Sequence, residues 1–371
     1  MIKILTVIGA RPQIIKAAAI SRTIKEQFPD KIEERILHTG QHYDTNMSQV
    51  FFDELGIPAP DYNLGVGSGN HGVQTAKMIE GIEAVLNSEH YDGIILYGDT
   101  NSTLAGAVAA AKLHVPVFHV EAGLRSFNMA MPEEQNRIVC DHLSSILFAP
   151  TQTAVDNLAA EGIVSSKAVF KNGKGRQVIK SGDVMYDNAL YFSTLAEQKS
   201  HVLEECRVSL ENYILATVHR DFNTDSPERI DNIFKALSAI ADQYDIPIIL
   251  PIHPRTKKYL PDKLSKRIIV IPPASFFDIL TLEKNAKIVM TDSGGVQKEA
   301  FFFGKPCIIL RPETEWVEII DHNAGILADA DFDRIINAYN ILSGRTVSFP
   351  PLFGGGNAAR IILQNVMDYA F

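Results

Sequence analysis

Three carboxylates stand where acid–base chemistry would want them: Asp99, Glu121 and Glu133. Asp99 and Glu121 each follow a short apolar run, and Glu133 lies in Pro132-Glu133-Glu134-Gln135-Asn136-Arg137, the first turn of a helical stretch. Taken singly, each has a plain structural reading. Asp99 would cap a helix, Glu121 would pair with Arg125, and Glu133 would be an acid favoured by the helix dipole. Brought together, they are acids and bases whose pKa values burial can separate. A second constellation suits an anion. Ser293-Gly294-Gly295 falls between an apolar run and a helical pattern, where glycine lets a phosphate approach the backbone closely. Glu299, six residues past Ser293, would face the same side and accept ribose hydroxyls. The same segment alone could be a simple strand-to-helix turn. Arg11, His219 and Arg220 at neighbouring strand ends favour a diphosphate site.

Other chemistries find less support. His38 and His42 are four apart, but Thr39-Gly40 between them reads as a loop and no HExxH occurs, so no metal site is expected. Cys140, Cys206 and Cys307 are the only cysteines and form no CxxC, which argues against both a disulfide framework and a thiolate zinc site. No GxSxG is present. Gly65-Val66-Gly67-Ser68-Gly69-Asn70-His71-Gly72 loosely matches a dinucleotide pattern. However, Asp61-Tyr62-Asn63-Leu64 before it makes no convincing strand, and the first strand–helix turn lacks GxGxxG. It reads as a mobile loop capping a helix, with no nicotinamide dependence.

The elements that must position these residues alternate from end to end. Strands are expected at Ile4-Ile8, Arg35-His38, Ile94-Tyr97, Val117-Val120, Ile146-Ala149, Ile214-Thr217, Ile248-Pro251, Ile268-Ile271, Ile288-Thr291 and Cys307-Leu310. Helical patterns lie between them, among them Ile14-Glu26, Val73-Leu86, Ser102-Leu113, Thr153-Glu161, Pro227-Gln243 and Val296-Phe303. Strands apolar on both faces imply covered parallel sheets, and this many suggest an α/β protein of two doubly wound, Rossmann-like domains. The crossover is expected near Ser181-Asp183, after a polar, basic stretch (Ser165-Lys180) that reads as a solvated hairpin or loop. The first domain is residues 1–181 plus 355–371, and the second is 182–354. The last amphipathic segment, Ala358-Tyr369, would pack back on the first domain after Gly354-Gly355-Gly356. In such sheets ligands bind beyond the carboxyl ends of the strands. Polar residues gather there, which makes a cleft between the domains the expected site.

With 44 acidic against 35 basic residues among 371, and no Lys/Arg block, a nucleic-acid reader is not expected. The apolar start, Met1-Ile2-Lys3-Ile4-Leu5, is cut short by Arg11-Pro12 and reads as a buried strand, not a signal peptide. No apolar run approaches the ~18 residues of a membrane span. A cytoplasmic protein is the expectation.

The motifs resemble those of the non-hydrolysing UDP-N-acetylglucosamine 2-epimerases. The matches are Gly9-Ala10-Arg11-Pro12, His38-Thr39-Gly40-Gln41-His42, Gly98-Asp99-Thr100, His119-Val120-Glu121-Ala122-Gly123-Leu124-Arg125 and Pro132-Glu133-Glu134-Gln135-Asn136-Arg137. Thr217-Val218-His219-Arg220 and Thr291-Asp292-Ser293-Gly294-Gly295-Val296-Gln297-Lys298-Glu299 complete the set. The resemblance implies a glycosyltransferase B-type fold, a homodimer, a UDP-sugar substrate and no cofactor. It makes Asp99, Glu121, Glu133 and His219 the catalytic group, and places Arg11, Lys16, His253, Ser293, Gly294, Gly295 and Glu299 on the nucleotide diphosphate. The implied reaction converts UDP-N-acetylglucosamine reversibly to UDP-N-acetylmannosamine through elimination and re-addition of UDP. Departures from the pattern are Gln13 for a common Glu, Trp316 where an Arg often lies, Tyr43 after Gly-Gln-His, and Phe127-Asn128-Met129-Ala130-Met131. Among these, Gln13, Trp316 and the Phe127–Met131 stretch resemble the branch acting on UDP-2,3-diacetamido-2,3-dideoxy-glucuronate, a surface-polysaccharide precursor. That sugar is the alternative substrate. A UDP-sugar glycosyltransferase of the same fold and a hydrolysing epimerase are the further alternatives.

Overall fold

The computed structural model describes residues 1–40, 56–166, 173–252, 254–261 and 263–370. The chain divides into two compact units, Met1–Asn188 with Leu352–Phe371, and Ala189–Pro351.

The first unit is built on a seven-stranded sheet whose described pairings are all parallel, in the order β3-β2-β1-β4-β5-β6-β7. Its strands are β1 Ile2–Ile8, β2 Ile32–His38, β3 Tyr62–Asn63, β4 Gly93–Tyr97, β5 Val117–Val120, β6 Ile146–Ala149 and β7 Gln177–Lys180. The described helices are α1 Arg11–Gln27, α2 His71–Ser88, α3 Asn101–Lys112, α4 Pro132–Leu143, α5 Gln152–Ala160 and α6 Val184–Lys199. The last of these runs across the division between the units. Leu5, Val7, Leu37, Ile94 and Leu96 point to one face of the sheet, where they meet Met78 and Ile82 of α2 and the alanines of α3. Small side chains at Ala105, Ala107, Ala109 and Ala110, all buried, let α3 lie close to the strands.

The second unit carries a six-stranded parallel sheet, β10-β9-β8-β11-β12-β13. These are β8 Ile214–Thr217, β9 Ile248–Pro251, β10 Ile268–Ile271, β11 Ile288–Thr291, β12 Cys307–Ile309 and β13 Gly325–Leu327. Helices α7 Val202–Glu205, α8 Asp221–Thr224, α9 Pro227–Gln243, α10 Pro254–Lys257, α11 Phe276–Asn285, α12 Gly294–Phe302, α13 Val317–Asp321 and α14 Phe332–Ser343 follow in order. Alternate strand residues feed opposite cores. Ile214, Ala216, Ile248 and Met290 meet Ile233, Phe234 and Leu237 of α9. Leu215, Ile249, Val289 and Ile309 meet Leu282 of α11 and Ala300 of α12. Helices therefore cover both faces, and the sheet is doubly wound. The chain ends in α15 Ala358–Ala370, whose first amides, at Ala358 and Ala359, donate to the Asp187 carboxylate at 3.1 and 2.8 Å.

Three strands lie where none was expected, and all three are at sheet edges: Tyr62–Asn63, Gln177–Lys180 and Gly325–Leu327. Tyr62–Asn63 lies within a segment read as no strand, yet pairs with Leu37 and His38. Gln177–Lys180 falls in the stretch read as a solvated hairpin or loop, of which residues 167–172 lie outside the described residues. An edge strand has one neighbour and partial solvent contact, so it can be short or polar. The glycine-rich segment after β3 is stitched to the turn beyond β2: Val66 and Gly67 amides donate to the Thr39 and Gly40 carbonyls at 3.0 Å each.

Candidate active site

In each sheet the strand order reverses once, between β1 and β4 in the first unit and between β8 and β11 in the second. Connections there leave in opposite directions, so the space beyond the strand ends is open to a ligand. The first switch point is flanked by Gly9-Ala10-Arg11 and Gly98-Asp99, the second by His219-Arg220 and Asp292-Ser293.

At the first switch point, Gln13 fixes the turn after β1. Its side-chain oxygen accepts the Gly9 and Ala10 amides at 2.8 and 3.1 Å. Its amide nitrogen donates to the Tyr97 carbonyl at 2.9 Å and to Thr103 Oγ1 at 3.0 Å. An ionised glutamate could do only the accepting half. Arg11 opens α1 and faces solvent.

Asp99 follows Gly98 at the end of β4. It does not cap α3: Thr100 does, accepting the Thr103 amide. The Asp99 carboxylate is instead gripped by Arg137 of α4, and its carbonyl accepts from Asn136 at 2.9 Å. Burial raises the Asp99 carboxyl above its ordinary 3.8; Arg137 and Lys16 oppose the shift, and the charges of Glu121 and Glu133 add to it. Asp99 thus feels the charges of the other two carboxylates singled out in the sequence. Glu121 has a left-handed backbone (φ +71°), a costly conformation for a side chain of this size. Its partner is Lys16, whose Nζ lies 2.5 Å from Glu121 Oε1, and not Arg125, which pairs with Asp141 and Glu161. Gly98 (φ +61°) borders this ion pair; a Cβ there would stand 3.1 Å from Lys16 Nζ and 3.4 Å from Glu121 Oε1. Glu133 is exposed in the first turn of α4, as a dipole-favoured acid would be.

Several residues of this site carried no role in the sequence reading. Arg137 bridges Asp99 to Glu134, its Nη1 lying 2.5 Å from Glu134 Oε2. Glu134 in turn accepts the Ser126 and Phe127 amides at 3.0–3.1 Å. His119 and Asp141 lie buried beneath both strand ends. The only signal for Arg137, Glu134 and His119 was membership in the quoted motifs; Asp141 lies outside them.

At the second switch point, buried Asp292 organises the turn after β8. It accepts the His219 amide at 3.1 Å, the Arg220 amide at 3.0 Å and the Asn223 side chain at 3.1 Å. His219 Nδ1 lies 3.3 Å from Asp292 Oδ1, and the ring is half-exposed. Ser293 precedes α12 as its N-cap without using its hydroxyl to cap; its amide donates to Thr291 Oγ1 at 2.9 Å. Gly294 and Gly295 then open the helix, with their amides at its positive end. A Cβ on Gly294 would come within 2.4 Å of Glu315 Oε1, whose carboxylate pairs with Arg311 at 3.0 Å. Glu299 lies further along α12, near buried Glu283, whose carboxyl is pushed well up by burial and by the Glu299 charge. Six residues are about 1.7 helical turns, so Ser293 and Glu299 share an element but not a helix face. His253 lies outside the described residues, as do Gln41, His42 and Tyr43.

Among the described residues no cluster of three or more His, Cys, Asp or Glu side chains could hold a metal ion. No helix among them is long and apolar enough to cross a membrane. The first switch point is equipped for proton transfer, the second for an anion beside a histidine.

The sequence model of the UDP-N-acetylglucosamine 2-epimerase family matches residues 25–367. A UDP-2,3-diacetamido-2,3-dideoxy-D-glucuronate 2-epimerase of Pseudomonas aeruginosa is 47% identical over 98% of each chain. A UDP-N-acetylglucosamine 2-epimerase of Methanocaldococcus jannaschii is 42% identical over 98% of each. The crystal structure of the M. jannaschii enzyme with UDP-GlcNAc and UDP superposes with a TM-score of 0.84 at 41% identity, covering 99% of this chain and 100% of that one. Matches of this extent carry both the fold, two Rossmann-like units of the glycosyltransferase B type, and the lineage: the chain belongs to the UDP-N-acetylglucosamine 2-epimerase family.

Proposed function

We propose that the chain interconverts UDP-N-acetylglucosamine and UDP-N-acetylmannosamine without an added cofactor. The observation that carries the reading is Asp99, gripped by Arg137, with its carboxyl raised by burial, opposed by the charges of Arg137 and Lys16 and pushed further by those of Glu121 and Glu133. Carbon 2 of the sugar has no adjacent carbonyl to acidify its proton. Elimination solves this: a carboxylate takes the carbon 2 proton while the bond from carbon 1 to the diphosphate breaks, leaving a 2-acetamidoglucal and UDP. A proton then returns to carbon 2 from the opposite face as UDP re-forms the bond at carbon 1. Asp99, Glu121 and Glu133 are assigned the proton transfers, worth about 10²–10⁴ in rate. His219, oriented by Asp292, is assigned with the Ser293–Gly295 amides to the departing diphosphate, as preorganised electrostatics. Arg11, His253 and Glu299 are assigned to the rest of the nucleotide. Lys16, with its ammonium on Glu121, is assigned to both that carboxylate and the phosphate charge.

A second substrate has specific support. UDP-2,3-diacetamido-2,3-dideoxy-glucuronate is favoured by the P. aeruginosa relative and by Trp316, which lies under the Lys298 ammonium at 4.2 Å in place of an arginine. A cytoplasmic homodimer making a surface-polysaccharide precursor fits either sugar.

Proton NMR in deuterated water tests the reading. UDP-N-acetylglucosamine alone should yield the manno epimer with deuterium at carbon 2. Epimerisation of the diacetamido uronate only would select the second substrate. Silence on both, with UDP released only when an acceptor is added, would replace the reading by a glycosyltransferase.

A further inference from the structure

His119 sits on β5 with no solvent exposure, so it touches no substrate. Each of its ring nitrogens faces an acceptor. Nε2 is 2.8 Å from the Gly98 carbonyl, which has no proton to offer. Nδ1 is 2.7 Å from Asp141 Oδ1. The other Asp141 oxygen accepts from Arg125 Nη1 at 2.7 Å and from the Gly123 amide at 3.2 Å; the permanent Arg125 charge favours the ionised carboxylate, which has no proton to give. Both ring nitrogens must therefore donate, which makes His119 an imidazolium. The electrostatics agree. Burial opposes the charge on His119, but Cys140 and Asp141 of α4 more than offset it and hold the ring well above its ordinary 6.5. Asp141 is held below its ordinary range by His119 and Arg125 against burial.

The two donors of that ring reach the two turns that present the candidate catalytic acids. Gly98 is the residue before Asp99; its backbone is left-handed (φ +61°) and its amide donates to the Val120 carbonyl at 3.0 Å. Asp141 holds the Gly123 amide, two residues past Glu121, and Arg125 spans from Asp141 to the Leu124 carbonyl and, bidentately, to Glu161. The strained Glu121 backbone is pinned from the other side, where the Glu121 and Ala122 amides both donate to the Phe148 carbonyl at 3.1 Å. We propose that His119, held as an imidazolium between Asp141 and the Gly98 carbonyl, is a positioning residue that sets the spacing of the Asp99 and Glu121 carboxylates. A charged donor is suited to this because charge-assisted bonds are shorter and stronger than neutral ones. Misplacement of a reacting group by about 1 Å can cost about a hundredfold in rate.

The proposal rests on the epimerase reading for its kinetic arm only. Its first test needs no substrate: in ¹⁵N-histidine-labelled wild-type protein at about pH 8.5, some two units above an ordinary imidazole, the His119 ring should still carry protons on both nitrogens. In Asp141→Asn that signature should be lost. The kinetic arm compares His119→Gln, which keeps one donor, with Asp141→Asn. Both should lose about a hundredfold in kcat while KM and the Kd for UDP stay within about threefold, and the pH profile of kcat should shift as Asp99 moves relative to Arg137. A neutral ring at that pH, or variants that lose thermal stability but keep kcat, overturns the proposal. If His119→Gln does not fold, Asp141→Asn and the wild-type ring decide. If the wild type epimerises no UDP-sugar, the functional reading falls and the ring protonation decides alone.

Discussion

The two units place their chemistry at the same topological position, a sheet's switch point, and equip it in opposite ways. In the first unit charged side chains held by other charged side chains stand at the strand ends. Asp99, Arg137 and Glu134 form one chain, Lys16 and Glu121 a pair, and His119, Asp141, Arg125 and Glu161 a second chain. In the second unit the main groups are backbone amides: those of His219 and Arg220 on Asp292, and those of Gly294 and Gly295 at the start of α12. The difference suits the two proposed tasks. Moving a proton needs groups whose pKa values are set individually, and burial among neighbouring charges does that. Holding a diphosphate needs fixed donors with no protonation state to manage, which backbone amides supply.

The sharpest way to break that comparison is to neutralise the first site alone. Asp99→Asn, Glu121→Gln and Glu133→Gln should each lower turnover by about 10²–10⁴ with UDP affinity changed little. Steady-state NMR assays alongside calorimetric UDP titration would read both. Full turnover in all three variants would mean that the carboxylates are structural. A parallel loss of UDP affinity would mean that the division of labour between the units is wrong.

How far the sequence alone reached differs between strands and side chains. Interior strands such as Ile94–Tyr97 and Ile288–Thr291 are buried on both faces and must be apolar throughout, so they announce themselves. Edge strands such as Gln177–Lys180 face water and carry no such pattern. Among the site residues, a carboxylate just past an apolar run was legible because of where parallel strands end. Its partner was not. The nearest arginine or lysine in sequence to Glu121 is Arg125, but the ion pair goes to Lys16, brought alongside by β1 and α1. Asp99 and Arg137 likewise meet only because β4 and α4 pack through α3. Local spacing registers neighbours on one element, whereas these networks are made by the sheet order.

Gln13 sharpens the comparison at the next level of effect, since it tests whether the first site's turn depends on a neutral residue. Gln13→Glu restores the more common family residue. Ionised, it would still accept the Gly9 and Ala10 amides but would face the Tyr97 carbonyl without a proton. A buried acceptor against an acceptor should cost about 1–3 kcal/mol near neutral pH. The new carboxyl would escape by taking up a proton, so its folded pKa would be raised. The destabilisation would then be absent below the unfolded carboxylate value and grow as pH rises through it. Denaturant unfolding at several pH values should show this slope relative to wild type. A flat difference would mean that the turn re-forms around the charge.

The smallest effect should come from the second site's backbone. Gly294→Ala places a methyl 2.4 Å from Glu315 Oε1, and the nearest atom is the end of a flexible side chain, so the fold should survive. To make room, Glu315 must swing away from Gly294 and strain its pair with Arg311. If the amides at the start of α12 hold the diphosphate, crowding beside them should weaken UDP binding by roughly tenfold or less, about 1 kcal/mol, and raise KM more than it lowers kcat. The reverse pattern, an unchanged Kd for UDP with a fall in kcat, would place Gly294 on the reacting sugar and would erase the distinction between an anion site made of backbone and a proton-transfer site made of side chains.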